Sequence, residues 1–147
     1  MWQTGQTTKA QKSLEEARYK SSKSKNHHAE LLASGLLGTI EAAKGNLHAA
    51  ADILRNTIEW GASFPAIALA QMELGMLQYE WNQLDEARHN LQQAIRLAER
   101  TGNVEIQANA YRKWGLLKQA SGDNRGALTA LEKAVKIAGE SAPPLTR

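Results

Sequence analysis

Gly122-x4-Ala127-x3-Leu131-x2-Ala134 matches three earlier stretches of this chain in residue type and spacing: Gly5-x4-Ala10-x3-Leu14-x2-Ala17, Gly45-x4-Ala50-x3-Leu54-x2-Thr57 and Asn82-x4-Ala87-x3-Leu91-x2-Ala94. The alanine anchors at 10, 50, 87 and 127 stand 40, 37 and 40 residues apart. A period of that length arises when a small supersecondary unit cannot bury its apolar face alone and stacks on copies of itself. The spacing therefore predicts an all-α solenoid built from antiparallel helix pairs. Solenoids of this kind hold partners more often than they convert substrates.

Working outward from the anchors, apolar residues recur at helical spacing and are cut by turn residues. Ala29 to Lys44 carries Leu32, Gly35, Leu36 and Thr39, and Gly45-Asn46 breaks it; Leu47 to Trp60 then carries Ala50, Leu54 and Ile58 on one stripe. Gly61-Ala62-Ser63 ends that helix, and Pro65 suits the first turn of the next. The same reading places helices at Pro65 to Trp81, Leu84 to Arg100, Val104 to Ser121 and Arg125 to Gly139, with Ala142-Pro143-Pro144 preventing continuation. A helix from Thr7 to Lys23, the second half of a cut unit, precedes them, which makes about seven helices and no strands. One domain over 1–147 thus divides into a partial repeat 1–25 and repeats 26–62, 63–102 and 103–140. The half-repeat marks it as an expected fragment of a larger protein.

Each anchor has a physical task. Gly38, Gly75 and Gly115 lie in the middle of the first helix of their pairs, where a glycine costs about 1 kcal/mol relative to alanine. Three such glycines at equivalent positions imply close approach of two helices. Ala50, Ala87 and Ala127 answer from the second helix, and Leu54, Leu91 and Leu131 fill the space between.

Composition narrows the function classes. The 147 residues include no cysteine, which removes disulfides, thiolate metal sites and a cysteine nucleophile. Absence of an apolar leader and a longest apolar run of seven residues, Phe64 to Ala70, point to a cytoplasmic protein without a membrane span. The net charge of +3 is uneven: residues 1–28 hold six Lys/Arg, among them Lys9, Lys12, Arg18, Lys20, Lys23 and Lys25, against Glu15 and Glu16. Without aromatic or glycine-rich companions this run is a solvated face, and no direct nucleic-acid contact is expected of it.

Leu37-Gly38 and Leu74-Gly75, a glycine at the turn, then Ala, Leu and Ala, resemble the tetratricopeptide repeat. Gly-to-Ala spacing of 12 and Ala-to-Ala spacing of 7 hold along essentially the whole chain. The family period is about 34 residues, so longer helices or loops are expected here. Within 66–138, the stretch Leu74-Gly-Met-Leu-Gln-Tyr-Glu-Trp-Asn-Gln-Leu-Asp-Glu-Ala87-Arg-His-Asn-Leu91, followed by Ala94-Ile-Arg-Leu-Ala98 and Thr101-Gly-Asn103, resembles the sensor arm of MalT/LuxR-type bacterial transcription regulators. The resemblance implies a right-handed superhelix that receives an inducer or an inhibitory protein. A phosphate-binding loop of the G-x-x-x-x-G-K-[ST] type and a DNA-binding domain, which the full regulators carry, are not in this segment. The same resemblance puts the ligand against the first helix of each pair, three residues before and one after the mid-helix glycine, and one turn further on. Those positions are Gly35 and Thr39, Met72, Met76 and Tyr79, and Arg112, Leu116 and Gln119. The chaperone-tail carboxylate clamp of the family needs Lys and Asn there, so that ligand class is rejected.

Catalytic residues are not evident: there is no G-x-S-x-G elbow, and no enzymatic activity is expected. His27-His28 with Glu30 is the nearest approach to a metal cluster, but adjacent residues on a helix diverge by about 100°. No metal site and no cofactor are expected. His48 and His89 read as exposed, Glu15-Glu16 and Asp85-Glu86 as helix-dipole partners, Trp114 as core, and Trp60 as closing the end of its repeat. Trp81, at a helix end, reads as partly exposed and available for recognition. Met72 and Met76 read equally as a binding ridge or as inter-repeat core. Leu128, Val135 and Ile137 fall outside the anchor stripe of the last helix, so they await cover from Pro143-Pro144-Leu145, from a longer parent protein or from a second copy. The expected function is a non-catalytic scaffold, the signal-sensing arm of a MalT/LuxR-like regulator, taking a protein, peptide or small effector in its groove. The alternative is a tetratricopeptide interaction module of another bacterial signalling or assembly protein.

Overall fold

In the computed structural model, which describes residues 4–62 and 64–141, seven α-helices follow one another and no strand occurs among the described residues. They are α1 (Thr4–Lys23), α2 (His27–Ala43), α3 (Leu47–Trp60), α4 (Ala68–Glu80), α5 (Leu84–Thr101), α6 (Val104–Ala120) and α7 (Asn124–Ser141). A single 3-10 turn, Pro65–Ile67, precedes α4, so the helix expected to run from Pro65 begins three residues later. Extended backbone at Phe64 and the fixed proline ring set that entry. Met1, Trp2, Gln3, Ser63 and the segment Ala142-Pro143-Pro144-Leu145 expected to stop or fold over the last helix lie outside the described residues.

Most of the helix ends share one closure. The N–H of Asn26, Asn46, Gln83, Asn103 and Asp123 reaches back five residues to a carbonyl of the preceding helix, at 2.8–2.9 Å. Such a closure needs left-handed backbone at the residue before it. Gly45, Gly102 and Gly122 supply it freely, while Lys25 and Asn82 adopt φ of 59° and 58° with a side chain in place. The side chains of Asn26, Asn103 and Asp123 then cap the next helix by accepting the N–H of Ala29, Ile106 and Gly126. Gly61 is different. Its φ is −100°, and it is glycine because a Cβ there would come within 2.6 Å of Leu31 and Ile67 side-chain atoms.

The mid-helix glycines behave as the repeat spacing predicts. A Cβ on Gly38 would stand 2.6 Å from Leu54 Cδ2, and one on Gly115 2.9 Å from Leu131 Cγ. Leu54, Leu91, Ala50, Ala87, Ala94 and Ala98 are wholly buried. One cluster gathers Ala50, Leu54, Ala70, Leu74 and Leu77, and another gathers Met72, Leu91, Ile95, Ala110 and Leu117, so burial runs from pair to pair along the stack.

Successive helices pack in turn from α1 to α7, and in addition α2 touches α4 and α4 touches α6. No comparable contact links α3 with α5 or α5 with α7. The first helices of the pairs therefore form a closed row while the second helices stand apart, which puts the first helices on the inside of the curve. This is an all-α, tetratricopeptide-like solenoid. None of the described helices is long and apolar enough to cross a membrane.

Leu91→Ala should cost about 2–5 kcal/mol, because the side chain is fully enclosed. Leu131→Ala should cost less, since the equivalent leucine of the last pair is 37% exposed. Urea unfolding followed by circular dichroism measures both.

Candidate functional site

The inner row of helices presents one equivalent residue per repeat just after each mid-helix glycine. Thr39 on α2 and Met76 on α4 are half-buried, and Leu116 on α6 is 38% exposed. Thr39 donates its hydroxyl to the Gly35 carbonyl one turn back, which leaves its methyl as the group free to make contacts. Leu36, 40% exposed, extends the apolar strip at the α2 end. Glu73 and Lys113 occupy the positions equivalent to Leu36 on α4 and α6, so this face carries one acid and one base among apolar groups. Tyr79 is half-buried against the α4–α5–α6 core cluster, and Gln119 is exposed.

Two expected groove residues lie elsewhere. Met72 is 3% exposed and belongs to the core cluster with Ala87, Leu91 and Ala110, and Gly35 is buried against Leu69 and Ala70 of α4. The position three residues before the glycine is thus covered by the next repeat rather than open to a ligand. Sequence spacing defines a helix face but not which neighbour covers it. Arg112 has the same place in the last pair and is exposed, with its guanidinium donating to Asn109 Oδ1 at 3.2 Å. It borders a hollow of about 270 Å³ between α6 and α7, walled by Leu131, Ala134 and Val135. Val135 is 73% exposed and Leu128 59%, whereas Ile95, the counterpart of Val135 on α5, is 8% exposed beneath α6. Ile137 is half-buried.

A larger hollow, about 510 Å³, opens between α6 and α7 on a separate face. Its walls include Tyr111 and Trp114, and Lys133 and Lys118 lie over these two rings at 4.7 and 5.1 Å from the centroids. The Tyr111 hydroxyl donates to Glu99 Oε2 at 3.2 Å, tying α5 to α6. Contact with Tyr111, and secondarily the Glu99 carboxylate, holds the Lys133 ammonium above its ordinary 10.5, so it is a cation at any physiological pH. Composition and repeat spacing do not mark this hollow, because it is assembled across helices and falls outside the anchor positions.

The histidines divide as follows. The ring of His27 meets Trp60 edge-on at 5.5 Å and Phe64 at 5.9 Å, while His28 lines a hollow with Leu32 and Ala66. The two neighbours thus serve different surroundings. His48 stacks on Trp81 at 5.0 Å with the planes 16° apart, and His89 is exposed. Trp81 is half-buried against the core, as is Trp114, and Trp60 at 51% exposed packs at the end of its pair. Among the described residues, no group of three or more His, Asp or Glu is placed to hold a metal ion.

The family model for the MalT-like TPR region matches residues 1–144 of the chain. A search of curated proteins finds no match.

Burial pushes the Glu73 carboxyl above its ordinary 4.5, with the Lys113 ammonium pulling the opposite way. The folded chain then keeps a proton that the unfolded chain releases. This carboxyl's contribution to stability is fully present below pH 4.5 and is lost as pH rises through the folded value. Glu73→Gln should match the parent's melting temperature near the acid end and exceed it at about pH 7, measured by thermal denaturation across that range.

Proposed function

The chain belongs to the MalT-like TPR family, and from that premise we propose that it is a non-catalytic recognition scaffold, the effector- or partner-binding arm of a MalT/LuxR-like transcription regulator. The observation that carries this reading is the inner row itself. Thr39, Met76 and Leu116 repeat at one position of three touching helices, with Leu36 beside them, and stay partly accessible while the residues on either side of each in the chain are buried. An apolar strip of this kind, with a flexible methionine at its centre, suits an amphipathic helix or the apolar face of a small effector. Glu73 and Lys113 along the same strip give a bound segment a fixed direction through opposite charges. Catalysis is not part of the proposal, because the strip offers no nucleophile paired with a base.

A second reading rests on a different observation. The end face formed by Arg112, Leu131 and Val135 exposes positions that the preceding pair buries, and a second copy could cover it, giving a homodimer through the last pair. The affinity of that association would be modest without further cover.

The test places a photo-crosslinking amino acid at Met76 or Leu116, and at Glu16 on α1 as a control, in the protein expressed in its native cells. Specific adducts from the two inner positions and none from the control are expected. Adducts at Met76 and Leu116 should vanish in a Leu36→Glu background, while circular dichroism stays unchanged. Identical adduct patterns from all three positions would overturn the assignment of this face.

A further inference from the structure

The hollow between α6 and α7 lies apart from the inner row and is not used by the recognition reading. Its charge is one-sided. Lys118, Arg125 and Lys133 border it, against the single carboxylate of Asp123. That carboxylate is committed elsewhere: one oxygen caps α7 by accepting the Gly126 N–H at 2.8 Å, and the other lies 3.7 Å from Lys118 Nζ. Gly126 places no side chain beside that carboxylate, where a Cβ would press on its end, so this part of the hollow stays open. Two of the cations are steadied by aromatic rings, Lys118 by Trp114 and Lys133 by Tyr111. Ring contact reduces the freedom each long side chain would lose on meeting an anion.

The preceding pair offers an internal comparison. Gln78, Asp85, Glu86, His89 and Asn90 line a smaller hollow of about 320 Å³, and each stands 40 residues before a residue of the larger one. Where the earlier hollow has Asp85 and Glu86, the later has Arg125 and Gly126. The groove between paired helices is therefore a property of the repeat, while its basic charge and aromatic walls are particular to the last pair. A hollow of about 510 Å³ exceeds what an inorganic anion needs and falls within the size of small-molecule sites. We propose that this hollow binds a phosphorylated small organic molecule of about nucleotide size, its phosphate held by Arg125 and Lys133 and its organic body laid along Tyr111, Trp114 and Ala130.

Isothermal titration of the full chain with adenosine monophosphate, adenosine and inorganic phosphate tests the proposal. Adenosine monophosphate should bind more tightly than either of the others, and weaken steeply with added salt. The double variant Arg125→Ala with Lys133→Ala should weaken it by roughly tenfold or more, with helix content unchanged. Lys136→Ala, exposed on α7 outside the hollow, should leave it unaltered. Lack of binding at millimolar nucleotide, equal affinity for adenosine, inorganic phosphate binding as tightly as the nucleotide, or an unaffected double variant would each overturn it. Loss of the inner-row adducts described above would not bear on this result, because the two surfaces share no residue.

Discussion

Contact between a bare helix backbone and a leucine is the constraint on which the rest of the molecule depends. Gly38 faces Leu54, Gly75 faces Leu91 and Gly115 faces Leu131; a methyl group would collide with the leucine at Gly38 and Gly115 and be tightly squeezed at Gly75, 3.0 Å from Leu91 Cγ. The close approach makes each helix pair a stiff unit of nearly fixed crossing. Once the pair is fixed, the remaining apolar residues of both helices must find cover on the next pair, and the solenoid follows. The helix-propensity cost of a central glycine is offset by the leucine burial it permits.

That constraint explains why so much of the architecture was legible in the residues. Glycine, alanine and leucine at 12- and 7-residue separations recur because the same collision must be avoided in every pair. Helix ends were legible from Gly45, Gly102 and Gly122, which adopt the left-handed backbone their turns require. Asn82, the turn residue of its repeat, does the same work and was equally legible, whereas Lys25 was not, since a lysine carries no turn signal of its own.

The candidate site was legible only in part, and the reason is geometric. A helical period says which residues share a face; it does not say which neighbouring helix lies on that face. Met72 and Arg112 occupy one repeat position, yet the first is enclosed by α6 and the second is open. Thr39, Met76 and Leu116, one turn along, remain accessible because they look toward the inside of the curve. The Glu99–Tyr111–Lys133 chain was not legible at all. It joins three helices through side chains whose sequence separations, 12 and 22 residues, match no recurring pattern.

The uneven contacts between rows have a mechanical consequence. Because α2, α4 and α6 touch while α3, α5 and α7 make no comparable contact with one another, the inner row acts as the hinge line and the outer row as the side that opens or closes more easily. Bending that changes only the gaps between outer helices disturbs fewer packed contacts than bending across the inner row, although Ile58 and Leu97 share the cluster around Leu31 and Ile67. A molecule lodged on the inner strip would splint the hinge, and one seated among the outer helices would set how far they spread. The curvature of the whole spine is thus set chiefly by the outer gaps rather than by the inner contacts.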